Sequence, residues 1–290
     1  MIDSPLVWPA PAKLNLLLHI TGQRADGYHE LQTVFQFLDY GDELRFGPRL
    51  DGKIQRVQNI EGIPAEEDLV VKAARALQKA CACQQGIDIS LDKKLPMGAG
   101  LGGGSSDAAT TLHALNRIWG CALSDDELAE IGLKLGADVP VFVHGFSAFA
   151  EGIGEQLTPI ELDQPWYLVI TPDIHVSTAA IFGDLELTRD CPAIKICGLQ
   201  DSGWDNVCLP VVAKHYPEVA EALEILGQYA EARMSGTGAS VFAAFATEDE
   251  AKRVRASLRN PAKAEIPASW KDFIAKGVNI SPLQEQLNNL

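Results

Sequence analysis

A glycine-rich stretch is the most chemically informative part of the 290-residue sequence. Five glycines fall within seven residues and two serines follow directly, in the run Pro96, Met97, Gly98, Ala99, Gly100, Leu101, Gly102, Gly103, Gly104, Ser105 and Ser106. Without Cβ atoms, the backbone N–H groups of such a loop can approach a phosphate closely. The first turn of a following helix adds unpaired N–H donors and a partial positive charge. The run therefore predicts a cradle for nucleotide phosphates, and a flexible surface loop is the alternative.

Three polar residues elsewhere in the chain could supply charge and proton transfer. Lys13 and Asn15 lie two residues apart, on one face of an otherwise apolar predicted strand. A solvent-facing strand would show the same alternation. Asp138 follows Gly136 and precedes a run of apolar residues. Burial raises the pKa of a carboxylate, which makes Asp138 a candidate general base, although it could simply cap a helix.

The elements around these residues follow from hydrophobic periodicity. Residues 87–91 alternate as a strand before the glycine run, and helical spacing follows it. Further strands are predicted at 13–20, 31–38, 43–46, 147–151, 155–160, 166–170 and 241–246, with a closing strand region at 273–280. Further helices are predicted at 69–82, 124–135, 177–182, 205–215, 217–228 and 248–259. The polar tail from residue 284 is expected to fray.

Composition excludes several classes of protein. The formal net charge is −15, whereas a general nucleic-acid binder is expected to be basic. No apolar run reaches the roughly 18 residues of a membrane span, and no signal peptide is evident. The six cysteines form no C-x-x-C pair. We therefore expect a cytoplasmic protein with reduced thiols, bound neither to nucleic acid nor to membrane.

The glycine run also fits the G-x-G-x-x-G pattern of dinucleotide-binding folds, at Gly98, Gly100 and Gly103. That pattern needs an acidic residue about 20 positions further on, at the end of a second strand. Asp125 and Asp126 are at this distance but belong to a predicted helix capping box. A Walker sequence and the protein-kinase motifs are absent from the sequence.

Three motifs in order make the chain similar to the GHMP kinases, which phosphorylate galactose, homoserine, mevalonate and phosphomevalonate. Residues 11–16 resemble the first motif, 96–109 the phosphate loop and 235–240 the third motif. The resemblance implies a two-domain α+β fold, with a ribosomal protein S5-like domain at residues 1–163 and a ferredoxin-like domain at 164–290. Residues 21–29 and 135–142 resemble the member whose acceptor is a sugar alcohol bearing cytidine diphosphate, used in isoprenoid biosynthesis.

The resemblance also implies roles for individual residues. Asp138 would be the general base with Lys13 beside it, and residues 96–106 would bind ATP, with Ser105 or Ser106 near Mg²⁺. The acceptor would be bound by Asn15 at its methylerythritol portion, by Tyr28 and Phe182 around the cytosine ring, by His29 at the ring edge, and by Gly236, Thr237 and Gly238 from the second domain.

One position departs from the family pattern. Asp68 stands where relatives usually have an asparagine near the adenine pocket, and an ionised aspartate cannot donate a hydrogen bond. Three other functions compete: a GHMP kinase for another small alcohol, a non-catalytic nucleotide-binding protein, and a dinucleotide-dependent oxidoreductase. The expected assembly is a monomer or a homodimer.

Overall fold

The computed structural model describes residues 6–25, 27–60, 62–199, 203–262 and 265–290, and this part of the chain has the predicted α+β class. The strands are β1 (Trp8–Gln23), β2 (His29–Arg49), β3 (Ile54–Arg56), β4 (Gly86–Asp92), β5 (Ala148–Glu151), β6 (Gln156–Pro159), β7 (Trp166–Thr171), β8 (Ala232–Met234), β9 (Val241–Phe245) and β10 (Lys271–Val278). The helices are α1 (Leu69–Ala80), α2 (Gly103–Ile118), α3 (Asp125–Leu133), α4 (Val139–His144), α5 (Thr178–Gly183), α6 (Leu209–His215), α7 (Pro217–Gly227), α8 (Glu248–Leu258) and α9 (Pro282–Asn288). A 3₁₀ turn covers Ile196–Gly198.

The strands form a sheet in the order β3-β4-β2-β10-β7-β9-β8, and β1 and β5 also pair with β2. Strand β10 joins the two halves, because it pairs with β7 along most of its length and with β2 at Gly277 and Val278. Helices α1 and α2 pack against each other, and α2 covers β1 and β2. Strand β1 thereby runs between the glycine-rich loop and the rest of the sheet.

The structure corrects the predicted break between residues 38 and 43, because β2 continues through it. Asp42 and Gly41 made the segment resemble a turn. A Cβ at Gly41 would lie 2.0 Å from the Ala10 carbonyl oxygen, so glycine allows β1 to approach here. The Asp42 carboxylate accepts hydrogen bonds from the backbone N–H groups of Lys94 (2.6 Å) and Leu95 (2.7 Å). Gly41 and Asp42 therefore make tertiary contacts from within a strand and do not form a turn.

Side-chain caps start several of the predicted helices. Ser124 and Glu127 form the expected capping box of α3, and Thr247 and Glu250 form another at α8. Helix α2 instead begins after Gly102, whose φ is 71° and which has no side chain to cap the first turn. The first N–H groups of α2 are thus left for another acceptor.

Three apolar clusters fill the interior. One lies among β2, β4, α1, α2 and α3, another among β7, β9, α6 and α7, and a third lies along β1 between them. Because Leu18 and Ile20 of β1 join the second cluster, the two halves share a strand. The division between residues 163 and 164 stays a proposal. Among the helices described, none combines the length and apolar character needed to cross a membrane.

Three further expectations were wrong or incomplete. The tail does not fray, because α9 begins at a Ser281 cap and buries Leu283 at 1% exposure. Strands β3 and β8 were not predicted. The structure brings the side chains of Cys81 and Cys121 into contact, a pairing that was not predicted. Their spacing hid it, since the two cysteines follow helices α1 and α2 and meet only because these helices pack side by side.

Candidate active site

A cavity of about 550 Å³ lies between the glycine-rich loop, β1, the start of α4 and the turn after β8. Most of the predicted site residues line it: Lys13, Asn15, residues 96–105, Asp138, Phe182, Gly236 and Thr237. Four predicted residues are not among its lining residues: Ser106, Tyr28, His29 and Gly238. The cavity thus unites segments up to 224 residues apart in the sequence, from Lys13 to Thr237.

Lys13 is the charged centre of this cavity. It is 2% exposed, and its Nζ lies 3.4 Å from Oδ2 of Asp138. The same ammonium donates to Oδ1 of Asn15 and, at 3.2 Å, to the carbonyl oxygen of Gly100. It also lies 5.4 Å from the centroid of the Phe35 ring. Three oxygen acceptors and a ring therefore hold one buried positive charge at the cavity wall.

Asp138 faces this charge rather than the end of its helix. It occupies the N-cap position of α4, yet in the described part of the chain its carboxylate accepts no capping hydrogen bond. Its side chain is 35% exposed, so it is open to the cavity. Helix capping, the alternative considered from the sequence, does not explain its position. Pro140 instead starts the helix, since proline needs no intrahelical acceptor there.

Asn15 is oriented from both sides. Its Nδ2 donates to Oγ1 of Thr33 at 2.8 Å, which leaves Oδ1 to accept from Lys13. Its backbone N–H donates to Oγ of Ser235 at 3.1 Å, and that hydroxyl donates to the Gly100 carbonyl at 2.7 Å. Thr33 is a supporting residue that was not predicted, because a single hydroxyl on a strand carries no spacing signal. Ser235 begins the third motif, but no role was predicted for its hydroxyl.

The glycine-rich loop needs its glycines for two different reasons. Gly98, Gly100 and Gly102 all have positive φ, at 63°, 74° and 71°. A Cβ at Gly100 would lie 2.1 Å from the Ser235 carbonyl oxygen, so this residue also permits close contact with the second glycine turn. The Ser240 N–H further donates to the Ala99 carbonyl at 3.1 Å. The phosphate loop and the third motif are therefore one packed unit.

The two serines in the first turn of α2 differ in their access to the cavity. Ser105 lines the cavity, whereas Ser106 is 1% exposed. Within the described residues, Oγ of Ser106 has no hydrogen-bond partner. Buried hydroxyls are usually hydrogen-bonded to a protein group, to water or to an ion.

Lys93 connects two buried carboxylates beside this helix. Its Nζ lies 2.5 Å from Oδ2 of Asp42 and 2.8 Å from Oδ2 of Asp107, and Lys93 and Asp107 line the cavity. Burial raises the pKa of Asp107 to about 8, and Asp42 adds to the effect while Lys93 opposes it. Burial lowers the pKa of Lys93, but the two aspartates outweigh it and leave the pKa raised. The ammonium of Lys93 thus forms ion pairs with both carboxylates, which explains how Asp107 is tolerated beside the glycine-rich loop.

Asp68, the residue that departs from the pattern expected from the family resemblance, also lines the cavity. It caps α1 by accepting from the Val70 N–H at 3.0 Å, and its other oxygen pairs with the buried guanidinium of Arg56. Arg56 in turn donates to the carbonyl oxygens of Gln58 (3.0 Å) and Ile63 (2.8 Å). The aspartate therefore has a charge partner, which an isolated sequence position could not reveal.

The predicted base-binding residues are arranged differently from the expected sandwich. The His29 ring stacks on Phe182, with centroids 5.2 Å apart and planes at 26°, while Tyr28 is 60% exposed. Arg189, which the sequence did not single out, donates to Nε2 of His29 at 3.1 Å. Burial, and then the charge of Arg189, lowers the pKa of His29. A cytosine between Tyr28 and Phe182 stays a prediction.

Comparisons with known proteins agree with this arrangement. The family model described as the GHMP kinases N terminal domain matches residues 68–146, and that described as GHMP kinases C terminal matches residues 194–264. Together they cover more than half of the chain. They include the glycine-rich loop, Asp138 and the second glycine turn.

Several relatives are similar along almost the whole chain. The 4-diphosphocytidyl-2-C-methyl-D-erythritol kinase of Pseudomonas savastanoi pv. phaseolicola is 54% identical over 290 residues, covering 100% of this chain and 98% of the relative. The enzyme of the same name from Shewanella piezotolerans is 56% identical over 283 residues, covering 97% of each chain.

Solved structures of related kinases show a similar fold. The crystal structure of a 4-(cytidine 5'-diphospho)-2C-methyl-D-erythritol kinase superposes with a TM-score of 0.79 at 30% identity, covering 94% of this chain and 99% of that one. A homoserine kinase from Cytophaga hutchinsonii superposes with a TM-score of 0.68 at 17% identity, covering 98% of this chain and 97% of that one, and shows likeness of fold alone.

Proposed function

Because the chain belongs to the GHMP kinase family, we propose that its cavity is where ATP phosphorylates 4-diphosphocytidyl-2-C-methyl-D-erythritol. The chain is an ATP-dependent small-molecule kinase with the two-domain fold that its motifs predicted. The phosphoryl group goes to the 2-hydroxyl of this substrate, a step in the non-mevalonate pathway to isoprenoid precursors. The observation that carries the assignment is the Lys13–Asp138 pair, 3.4 Å apart at the wall that the glycine-rich loop shares.

In the reaction, Asp138 accepts the proton of the acceptor hydroxyl as that oxygen attacks the terminal phosphorus of ATP. The bond from this phosphorus to the bridging oxygen of ADP breaks, and ADP leaves. Lys13 stabilises the negative charge on the attacking oxygen and the moving phosphoryl group, and Asn15 orients the acceptor. Phosphoryl transfer depends mainly on positioning and charge neutralisation, so a covalent enzyme intermediate is unnecessary.

The glycine-rich loop is proposed to bind the ATP phosphates. The glycines with positive φ and the uncapped first turn of α2 leave backbone N–H groups available to an acceptor. Among the described residues there is no group of three His, Cys, Asp or Glu side chains that could hold a metal alone. The unpartnered Ser106 hydroxyl fits Mg²⁺ that arrives on the nucleotide, because Mg²⁺ usually shares its ligands with substrate phosphates and water. Bound there, Mg²⁺ would neutralise phosphate charge.

The acceptor is proposed to extend from Asp138 toward Phe182. Gly236 and Thr237 line the path between them, and Oγ1 of Thr237 lies 2.9 Å from Oγ1 of Thr178, which also lines the cavity. His29 stacks on Phe182, which lines the cavity, and the neighbouring Tyr28 is exposed. Gly238 follows Thr237 in the same turn. The cytoplasmic location and the monomeric or homodimeric state remain predictions.

The deciding experiment is an ADP-release assay with ATP and 4-diphosphocytidyl-2-C-methyl-D-erythritol, with mevalonate and homoserine as alternative acceptors. We expect turnover only with the first. Asp138→Asn should lower kcat by about 100- to 10,000-fold, the usual contribution of a general base, and leave ATP binding unchanged. Asp126→Asn is the matched control, since that carboxylate is 91% exposed on α3. Near-normal turnover of the Asp138 variant would show that another group takes the proton.

A further inference from the structure

Arg189 occupies an unusual position beside the proposed base-binding residues. Its Nε donates to Nε2 of His29, and its Nη1 donates to the Leu187 carbonyl at 3.0 Å. Its Nη2 donates to the carbonyl oxygens of Phe182 (2.9 Å) and Asp184 (2.6 Å). Every guanidinium nitrogen therefore has an acceptor. The side chain links the start of β2 to the end of α5 and the segment after it.

This arrangement has a consequence for the proton on His29. A guanidinium has five N–H donors and no acceptor, and it stays protonated in proteins. Nε2 of His29 must therefore accept, which means that it carries no proton. A neutral imidazole with an unprotonated Nε2 carries its proton on Nδ1. The lowered pKa of His29, caused by burial and then by the charge of Arg189, agrees with a neutral ring.

The stack on Phe182 fixes the plane of the same ring. Because Arg189 holds the backbone carbonyl of Phe182 as well as the imidazole, it sets the two rings relative to each other. A 180° rotation of the His29 ring about Cβ–Cγ would place Cε1–H in the position of Nε2 and would break the hydrogen bond to Arg189. The histidine thus has one orientation and one position for its proton.

We propose that Arg189 is a positioning residue that fixes His29 in its Nδ1–H form, so that the histidine offers a hydrogen-bond donor to the base of the acceptor and favours cytosine. The identity of the base rests on the proposed function, whereas the tautomer of His29 does not. Cytosine presents acceptors at N3 and O2, whereas uracil carries a proton on N3. A fixed donor therefore suits the cytosine edge and opposes the N3–H of uracil. A histidine free to exchange tautomers would discriminate less.

The first test measures the proton directly, by ¹H–¹⁵N correlation of the imidazole nitrogens in the ¹⁵N-labelled full chain at pH 7.5. His29→Asn identifies the resonances. We expect an unprotonated Nε2 and a protonated Nδ1 for His29 in the wild type. In Arg189→Met the Nε2–H form should appear, because the donor that excluded it is gone. Arg189→Lys keeps a donor-only side chain and should retain the wild-type tautomer. Arg253→Met is the matched control, because that arginine is exposed on α8.

The second test measures base selectivity with cytidine- and uridine-bearing acceptors. In Arg189→Met the ratio of kcat/KM values, cytidine over uridine, should fall about three- to tenfold, the equivalent of one hydrogen bond. The KM for ATP should stay constant, which a general loss of structure would not allow. If Arg189→Met fails to fold, the tautomer of His29 in the wild type and in Arg189→Lys still tests the inference.

Two results would overturn the inference: a protonated Nε2 in the wild type, or an unchanged tautomer and selectivity in Arg189→Met. Failure of the proposed function is recognised separately. In that case neither acceptor is phosphorylated by the wild type, while the tautomer of His29 is as expected.

Discussion

The buried ion pair of Arg56 and Asp68 allows a quantitative test of how this chain tolerates an aspartate at the wall of the cavity. The two side chains are 1% and 9% exposed. Asp68→Asn keeps the shape of the side chain and an oxygen for the Val70 N–H, so the helix cap is retained. The substitution removes the negative charge and replaces the oxygen that faces Arg56 by an NH2 donor. It leaves a buried guanidinium with two carbonyl acceptors, those of Gln58 and Ile63.

The expected cost follows from this geometry. Removing one partner of a buried pair destabilises a protein by about 3–5 kcal/mol, because the other charge stays buried and uncompensated. Because Arg56 keeps two other acceptors, the cost should lie at the lower end of this range. We therefore expect Asp68→Asn to reduce the free energy of unfolding by about 3 kcal/mol. The KM for ATP should rise as well. Arg56 holds the segment from Gln58 to Ile63, and Ile60 and Ile63 line the cavity.

Urea denaturation at pH 7.5 measures the stability, and a double-mutant cycle assigns it. Arg56→Met combined with Asp68→Asn should return to within about 1 kcal/mol of the wild type, because no unpaired charge remains. Glu66→Gln is the matched control: its ion pair with Arg75 has side chains 70% and 48% exposed, so its loss should cost less than about 1 kcal/mol. If Asp68→Asn were as mild as Glu66→Gln, the buried charge would not carry the stability that we assign to it.

Three further substitutions test other parts of the structure. Gly100→Ala should lower kcat/KM about 100-fold, because its Cβ would displace the Ser235 carbonyl, whereas Gly104→Ala, whose nearest neighbour is 3.4 Å away, should remain active in the ADP-release assay. The folded pKa of Asp107, about 8, exceeds the ordinary 3.8, so the stability of the fold decreases as the pH rises from about 4 to about 8 and levels off above that. Asp107→Asn should therefore gain about 1–3 kcal/mol over the wild type between pH 5 and pH 9 in urea titrations, and a constant difference would contradict the raised pKa. Leu283→Ala should cost about 2–5 kcal/mol in thermal unfolding, and no loss would mean that α9 is not anchored.

Local patterns were sufficient where a residue's role depends on its near neighbours in sequence. The capping box at Ser124 was predicted because both partners lie within one helical turn. The glycine-rich loop was predicted because strand, turn and helix follow each other without interruption. Asp138 and Lys13 needed the resemblance to a family, since 125 residues separate them and neither has a diagnostic local pattern.

The remaining features depend on contacts between distant segments. Asp42 looked like a turn residue, and its real partners are the backbone and side chain of a segment about 50 residues away. Arg56 and Arg189 lie in stretches with no periodicity, and their importance comes from the carbonyl groups that the fold brings to them. Cys81 and Cys121 meet because two helices pack side by side. In each case the missing information is tertiary, and no residue type in the sequence could supply it.

The second glycine turn shows why the phosphate loop cannot be understood by itself. Ser235 connects Asn15 to Gly100, so one hydroxyl joins the residue proposed to orient the acceptor to the loop proposed to bind ATP. Lys13 contacts the same Gly100 carbonyl and Asp138. A movement of the loop is therefore transmitted directly to Asn15, to Lys13 and to Asp138, the proposed general base. The third motif thus contributes to the geometry of the site as well as to closing it, since Ser235 and Ser240 add hydrogen bonds to the loop beside those of Lys13.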